Sequence, residues 1–67
     1  MSKNEIQMDL DKIRTSLEDQ LTNVEDLMSK RTPEDLNSIS DEVVDLSRSL
    51  KAAIEKIMKL QKKVNLS

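Results

Sequence analysis

Sixty-seven residues without Cys or His make at most one domain, near the lower limit for independent folding, and close off disulfide and metal stapling. The lack of Phe, Tyr and Trp removes stacking platforms for bases or flat cofactors, and the lack of Gly removes phosphate-cradling loops, nucleophile elbows and the EF-hand turn. Thirteen acids against eleven bases leave a net charge of −2, which argues against strong non-specific nucleic-acid binding.

The chain opens on a helix start. Ser2-Lys3-Asn4-Glu5 fits a capping box, and Met1 and Ile6 occupy the hydrophobic-staple positions around it. A chain that begins this close to its own cap is expected to be complete. Met1 is followed by no apolar signal region, and no apolar run approaches the ~18 residues of a membrane span. A soluble cytoplasmic or otherwise intracellular protein is the default expectation, although a chain exported without a cleaved signal would read the same.

Apolar residues then fall at Ile6, Leu10, Ile13, Leu17, Val24 and Leu27, an a/d heptad rhythm broken only by Gln20 at a d position. A polar d residue serves register control or a polar contact with a partner. Lys30 and Arg31 suit the negative end of a helix dipole. The pattern predicts helix 1 over about residues 2–29.

Helix 2 is announced with equal clarity. Thr32 suits the N-cap, Pro33 the first helical position, and Glu34 and Asp35 the acidic first turn. Leu36, Ile39, Val43, Leu46, Leu50, Ala53, Ile57, Leu60 and Val64 then fill nine consecutive a/d positions. The two registers do not match across the junction: a positions at 10, 17 and 24 would continue to 31 and 38, whereas helix 2 has them at 36, 43, 50 and 57. A turn at about 30–32 removes the conflict and leaves helix 2 over about 33–65. Asn37-Ser38-Ile39-Ser40-Asp41 is the soft spot, since its polar side chains compete for backbone hydrogen bonds. A second break there would give a short helical turn and a helix from about residue 41.

The faces carry the functional content. Leu21 and Met28 at e widen the apolar arc of helix 1; Ile54 at e, with Val44 and Met58 at b, widens that of helix 2 beyond what one neighbouring helix covers. Scattered apolar residues on a surface are common. The sharper reading makes Val44, Ile54, Met58, Leu21 and Met28 partner-contact candidates. Residues 32–47 carry five acids and no base, and residues 48–67 six bases and one acid. That layout suits the helix dipole and an antiparallel neighbour, which sets Lys56, Lys59, Lys62 and Lys63 alongside Glu5, Asp9 and Asp11. Lys51, Lys56, Lys59, Lys62 and Lys63 form a candidate basic face. A solvated face or an acidic partner explains it most simply, with a phosphate backbone or anionic lipid as the competing uses.

Other motifs carry less. Asp9-Leu10-Asp11 has no Gly to build a calcium loop and reads as a solvated face. Arg31-Thr32-Pro33 could be read by a proline-directed kinase, but capping already accounts for it. No His, Cys or rigid turn offers a nucleophile or base, so no enzyme activity, cofactor or metal is expected. The expectation is therefore an all-α, single-domain antiparallel two-helix hairpin with coiled-coil-like heptads over 1–67. For chains this short, burial and ordering entropy roughly cancel. The hairpin is accordingly expected to be completed as a four-helix bundle by homodimerisation or as a complex with a helical partner protein. The expected role is a small adaptor, chaperone-like or regulatory protein; the alternative is a nucleic-acid-associated regulator using the basic face.

Overall fold

The computed structural model describes residues 2–31, 33–36 and 39–66, the side chains of Pro33 and Asp35 excepted. Among the described residues three helices follow in order: α1 (Lys3–Lys30), α2 (Pro33–Leu36) and α3 (Ser40–Leu66). The start of α1 is the one its sequence signals. Ser2 is extended, at φ −80° and ψ 157°, and its hydroxyl accepts from the Glu5 amide at 3.1 Å. The ladder begins with Ile6 N donating to Ser2 O at 3.1 Å, so one of the orphan donors of the first turn is satisfied by the cap. At the other end the chain has no Gly with which to turn left-handed. It leaves the helix by extension instead: Arg31 sits at φ −109° and ψ 143° while its amide still reaches Leu27 O at 3.2 Å.

The expected helix 2 is represented by α2 and α3. Asp41 and Glu42 in the first turn of α3 and Lys63 in its last complement the dipole. The Met1 staple, the Thr32 cap, the Asp35 side chain and the continuity of the chain through Asn37 and Ser38 lie outside the described residues.

Helices α1 and α3 pack side by side as an antiparallel hairpin with principal extents of 49 × 14 × 14 Å. Gln61 near the end of α3 meets Gln7, Asp11 and Arg14 near the start of α1, while Val24 and Val43 share the core toward the turn. The core is thin. Val24, Val43 and Leu50 are its buried members, with Leu17, Leu21 and Met28 packed against them.

The seam between the helices is not the expected a/d stripe. On α1 the buried and half-buried residues are Ile6, Gln7, Leu10, Arg14, Leu17, Leu21, Val24 and Met28; on α3 they are Ser40, Val43, Ser47, Leu50, Ala53, Ile54, Ile57, Gln61 and Val64. Apart from Ile6 and Ala53, which are d residues, these are the a and e positions. Both helices are rotated about their own axes so that most d positions turn away, leaving Ile13 48%, Leu46 50% and Leu60 47% exposed. Leu27 and Ile39, also expected in the core, are exposed too. The rotation is possible because the e residues fit between two helices. Ser47, 6% exposed, is small enough to lie between them without spreading them, and the polar tips of Gln7, Arg14 and Gln61 find partners across the seam. Each half-exposed Ile or Leu leaves roughly 1 kcal/mol of burial unrealised within the hairpin.

Candidate interaction face

Around a helix, d and e lie on opposite flanks of a. When two antiparallel helices share an a/e seam, both d stripes therefore come to the same side of the pair. Ile13, Gln20 and Leu27 from α1 and Ile39, Leu46 and Leu60 from α3 line that side, with the half-buried Ala53 between the last two. At the register set by Gln61, Ile13 lies level with Leu60, Gln20 with Ala53, and Leu27 with Leu46. The result is a face of apolar layers on either side of one polar layer. Gln20 is exposed there, with its amide nitrogen 3.5 Å from Ser16 Oγ. The outer edges are exposed and polar: Asp9, Ser16, Asn23 and Lys30 along α1, and Glu42, Ser49, Lys56 and Lys63 along α3.

The opposite side of the hairpin holds the partner-contact residues expected from sequence. Leu21 and Met28 are half-buried against the hairpin's own core. Ile54 is half-buried as well and lines a shallow groove with Glu18, Leu21, Thr22, Lys51 and Glu55. Val44 and Met58 are exposed, at 38% and 53%. The basic candidates do not form one patch. Lys56, Lys59 and Lys63 gather around Leu60 at a shallow depression on α3, whereas Lys51 belongs to the groove beside Glu18 and Glu55. Lys62 is exposed. Among the described residues the ion pairs run along single helices: Arg14 with Asp11 and Glu18, and Arg48 with Asp45. The antiparallel arrangement thus forms without a direct lysine-to-acid bridge between α3 and α1.

A polar clasp at the open end of the hairpin does join the helices, and sequence reasoning missed it. Gln61 Nε2 donates to Asp11 Oδ1 at 2.6 Å, and Gln61 Oε1 accepts from Arg14 Nη1 at 3.1 Å. Gln7 Nε2 donates to the Gln61 carbonyl oxygen at 2.8 Å. Arg14 Nη2 closes the ring on Asp11 at 3.2 Å, and its Nε faces Glu18 Oε1 at 3.6 Å. The available signal was the 7-14 spacing of Gln7 and Arg14 on the flank of the a positions, opposite the one polar residue, Gln61, on the same flank of the last turns of α3.

Among the described residues no group of three or more acidic side chains is placed to hold a metal ion, and no helix is long and apolar enough to cross a membrane. No protein-family model, no curated protein and no solved structure matches this chain.

Proposed function

We propose that this chain is a small non-enzymatic helical interaction module, an adaptor, chaperone-like or regulatory protein, that works by burying its d-position face against partner helices to complete a bundle. One observation carries the reading. The hairpin places Gln7, Arg14, Ser47 and Gln61 in its own seam and turns Ile13, Leu27, Leu46 and Leu60 outward. A hairpin that worked alone would gain by the reverse rotation, because burial of apolar surface is the dominant favourable term in so small a fold. A face of this kind, apolar along its centre and charged along its edges, has the anatomy of a protein interface.

The test is the triple substitution Ile13→Ser, Leu46→Ser and Leu60→Ser. The intramolecular a/e seam is untouched, so helicity should persist at low temperature while association is lost. Sedimentation reads self-association, and co-purification from the native host reads a second protein. A chain that neither self-associates nor retains any protein in a manner sensitive to these three positions would refute the reading.

The alternative, a nucleic-acid-associated regulator, is favoured by the gathering of Lys56, Lys59 and Lys63 at one depression. Fluorescence anisotropy with labelled DNA and RNA at ~150 mM salt separates the two. Binding tighter than roughly micromolar, lost on replacing Lys56, Lys59, Lys62 and Lys63 with Gln, supports the alternative, because ordinary non-specific affinity is weaker.

A further inference from the structure

We infer that the occupant of the d-position face is a second copy of this chain, docked about a two-fold axis through the Gln20–Ala53 layer with the two turns at opposite ends. The inference rests on the interaction-module reading above and specifies its partner. An interface between identical chains must be self-complementary about its axis, and this face is. On α1, Asp9 stands eleven residues before Gln20 and Lys30 ten after it; on α3, Glu42 stands eleven before Ala53 and Lys63 ten after. Rotation about the central layer therefore brings Asp9 against the partner copy's Lys30 and Glu42 against its Lys63. Each edge meets its own opposite charge, and Lys56 meets the neutral Ser49. The heptad alone guarantees that Ile13 meets Leu27 and Leu46 meets Leu60. It does not guarantee the signs of the edge charges.

Gln20 chooses between the two possible axes. With both turns at the same end, α1 lies across from α3, the edge charges again match, but each Gln20 amide faces Ala53, which offers no side-chain partner. With the turns at opposite ends, the two Gln20 amides lie on adjacent antiparallel helices and can each donate to and accept from the other. A buried amide needs such a partner, and Ala53 leaves room for the pair. The contact is also long: from Asp9 to Lys30 it runs about 32 Å along the helix, most of the 49 Å length of the hairpin.

The experiment uses the full chain. Sedimentation equilibrium of the unmodified chain should give a dimer. Gln20→Cys, at an exposed position whose change leaves the seam intact, should form a covalent dimer under mild oxidation, and so should Ala53→Cys. Independently, Asp9→Lys should weaken the dimer by about tenfold through two lost edge pairs, and Asp9→Lys with Lys30→Asp should restore most of that loss. A dimer that cross-links only when Gln20→Cys and Ala53→Cys chains are mixed, and is not rescued by the charge swap, would overturn the arrangement. A monomer, or an assembly larger than a dimer, would overturn the second copy as occupant. A monomer that nonetheless retains a different protein through Ile13, Leu46 and Leu60 leaves the interaction module standing, so the two failures are distinguishable.

Discussion

Replacing Gln61 with Ala removes both side-chain arms of the clasp that joins the ends of α1 and α3. The donor to Asp11 at 2.6 Å and the acceptor for Arg14 at 3.1 Å are lost together, while the bond from the Gln7 side chain to the Gln61 backbone carbonyl is available to persist. Hydrogen bonds to charged groups contribute ~1.5–3 kcal/mol when well shielded. Here the side chains of Asp11 and Arg14 are 57% and 35% exposed and remain paired with each other at 3.2 Å, so water and the surviving ion pair recover part of the loss. The expected cost is about 1–2 kcal/mol for the two bonds together. In a domain of this size that lowers the melting temperature by roughly 5–15 °C. Arg14→Ala should cost a similar amount, partly through lost packing of its aliphatic stem. The decisive quantity is their coupling. Far-UV circular dichroism melts of the parent chain, both single variants and the double variant, at one fixed chain concentration, should give a coupling of about 0.5–1 kcal/mol. The clasp lies on the flank away from the d-position face, so neither substitution alters that face, and the fixed concentration holds any contribution from association constant. Additivity within ~0.3 kcal/mol would refute the clasp as a joint between the helices.

Further variants separate seam from surface. Leu50→Asp places an unpaired charge at a position that is 8% exposed in the centre of the core and should abolish most of the helical signal in circular dichroism. Val44→Ser with Met58→Ser, on the exposed flank opposite the d-position face, should preserve both helicity and the sedimentation behaviour of the parent; unfolding of the double variant would show that these residues belong to the core. Ser47→Leu should push the helices apart at the most buried of the described residues, costing about 1–3 kcal/mol by overpacking, whereas Ser47→Ala should be tolerated. Urea titrations of the two variants measure the difference, and equal stability would show that the seam does not close on Ser47.

Local chemistry was legible from the amino-acid order because its partners are a few residues apart. Ser2 caps Glu5 across three positions. A charged last turn ends α1, and the mismatch between a positions before and after Pro33 demands a break in the helix whatever the surroundings. The a positions were legible too: Leu17, Val24, Val43 and Leu50 lie at the centre of any apolar stripe these helices can present, so a rotation toward either flank still buries them. The choice between the d and e flanks was not. Ile13 and Arg14, or Leu46 and Ser47, are neighbours in sequence, and apolar content alone assigns the core to Ile13 and Leu46.

That choice was made by contacts between residues far apart in the chain. Gln61 meets Asp11 and Arg14 across separations of 50 and 47 residues, and Ser47 is small enough to fit where Leu46 would hold the helices apart. The amino-acid sequence determined by itself that there are two long helices, where the first of them starts, and that the chain breaks between them, because propensity, capping and periodicity act within a turn or two of helix. Only the tertiary structure decided which flank of each helix faces the other and which is left exposed. A helix rotates about its axis at no cost to its own hydrogen bonds, and only the side chains of the opposing helix can choose the angle.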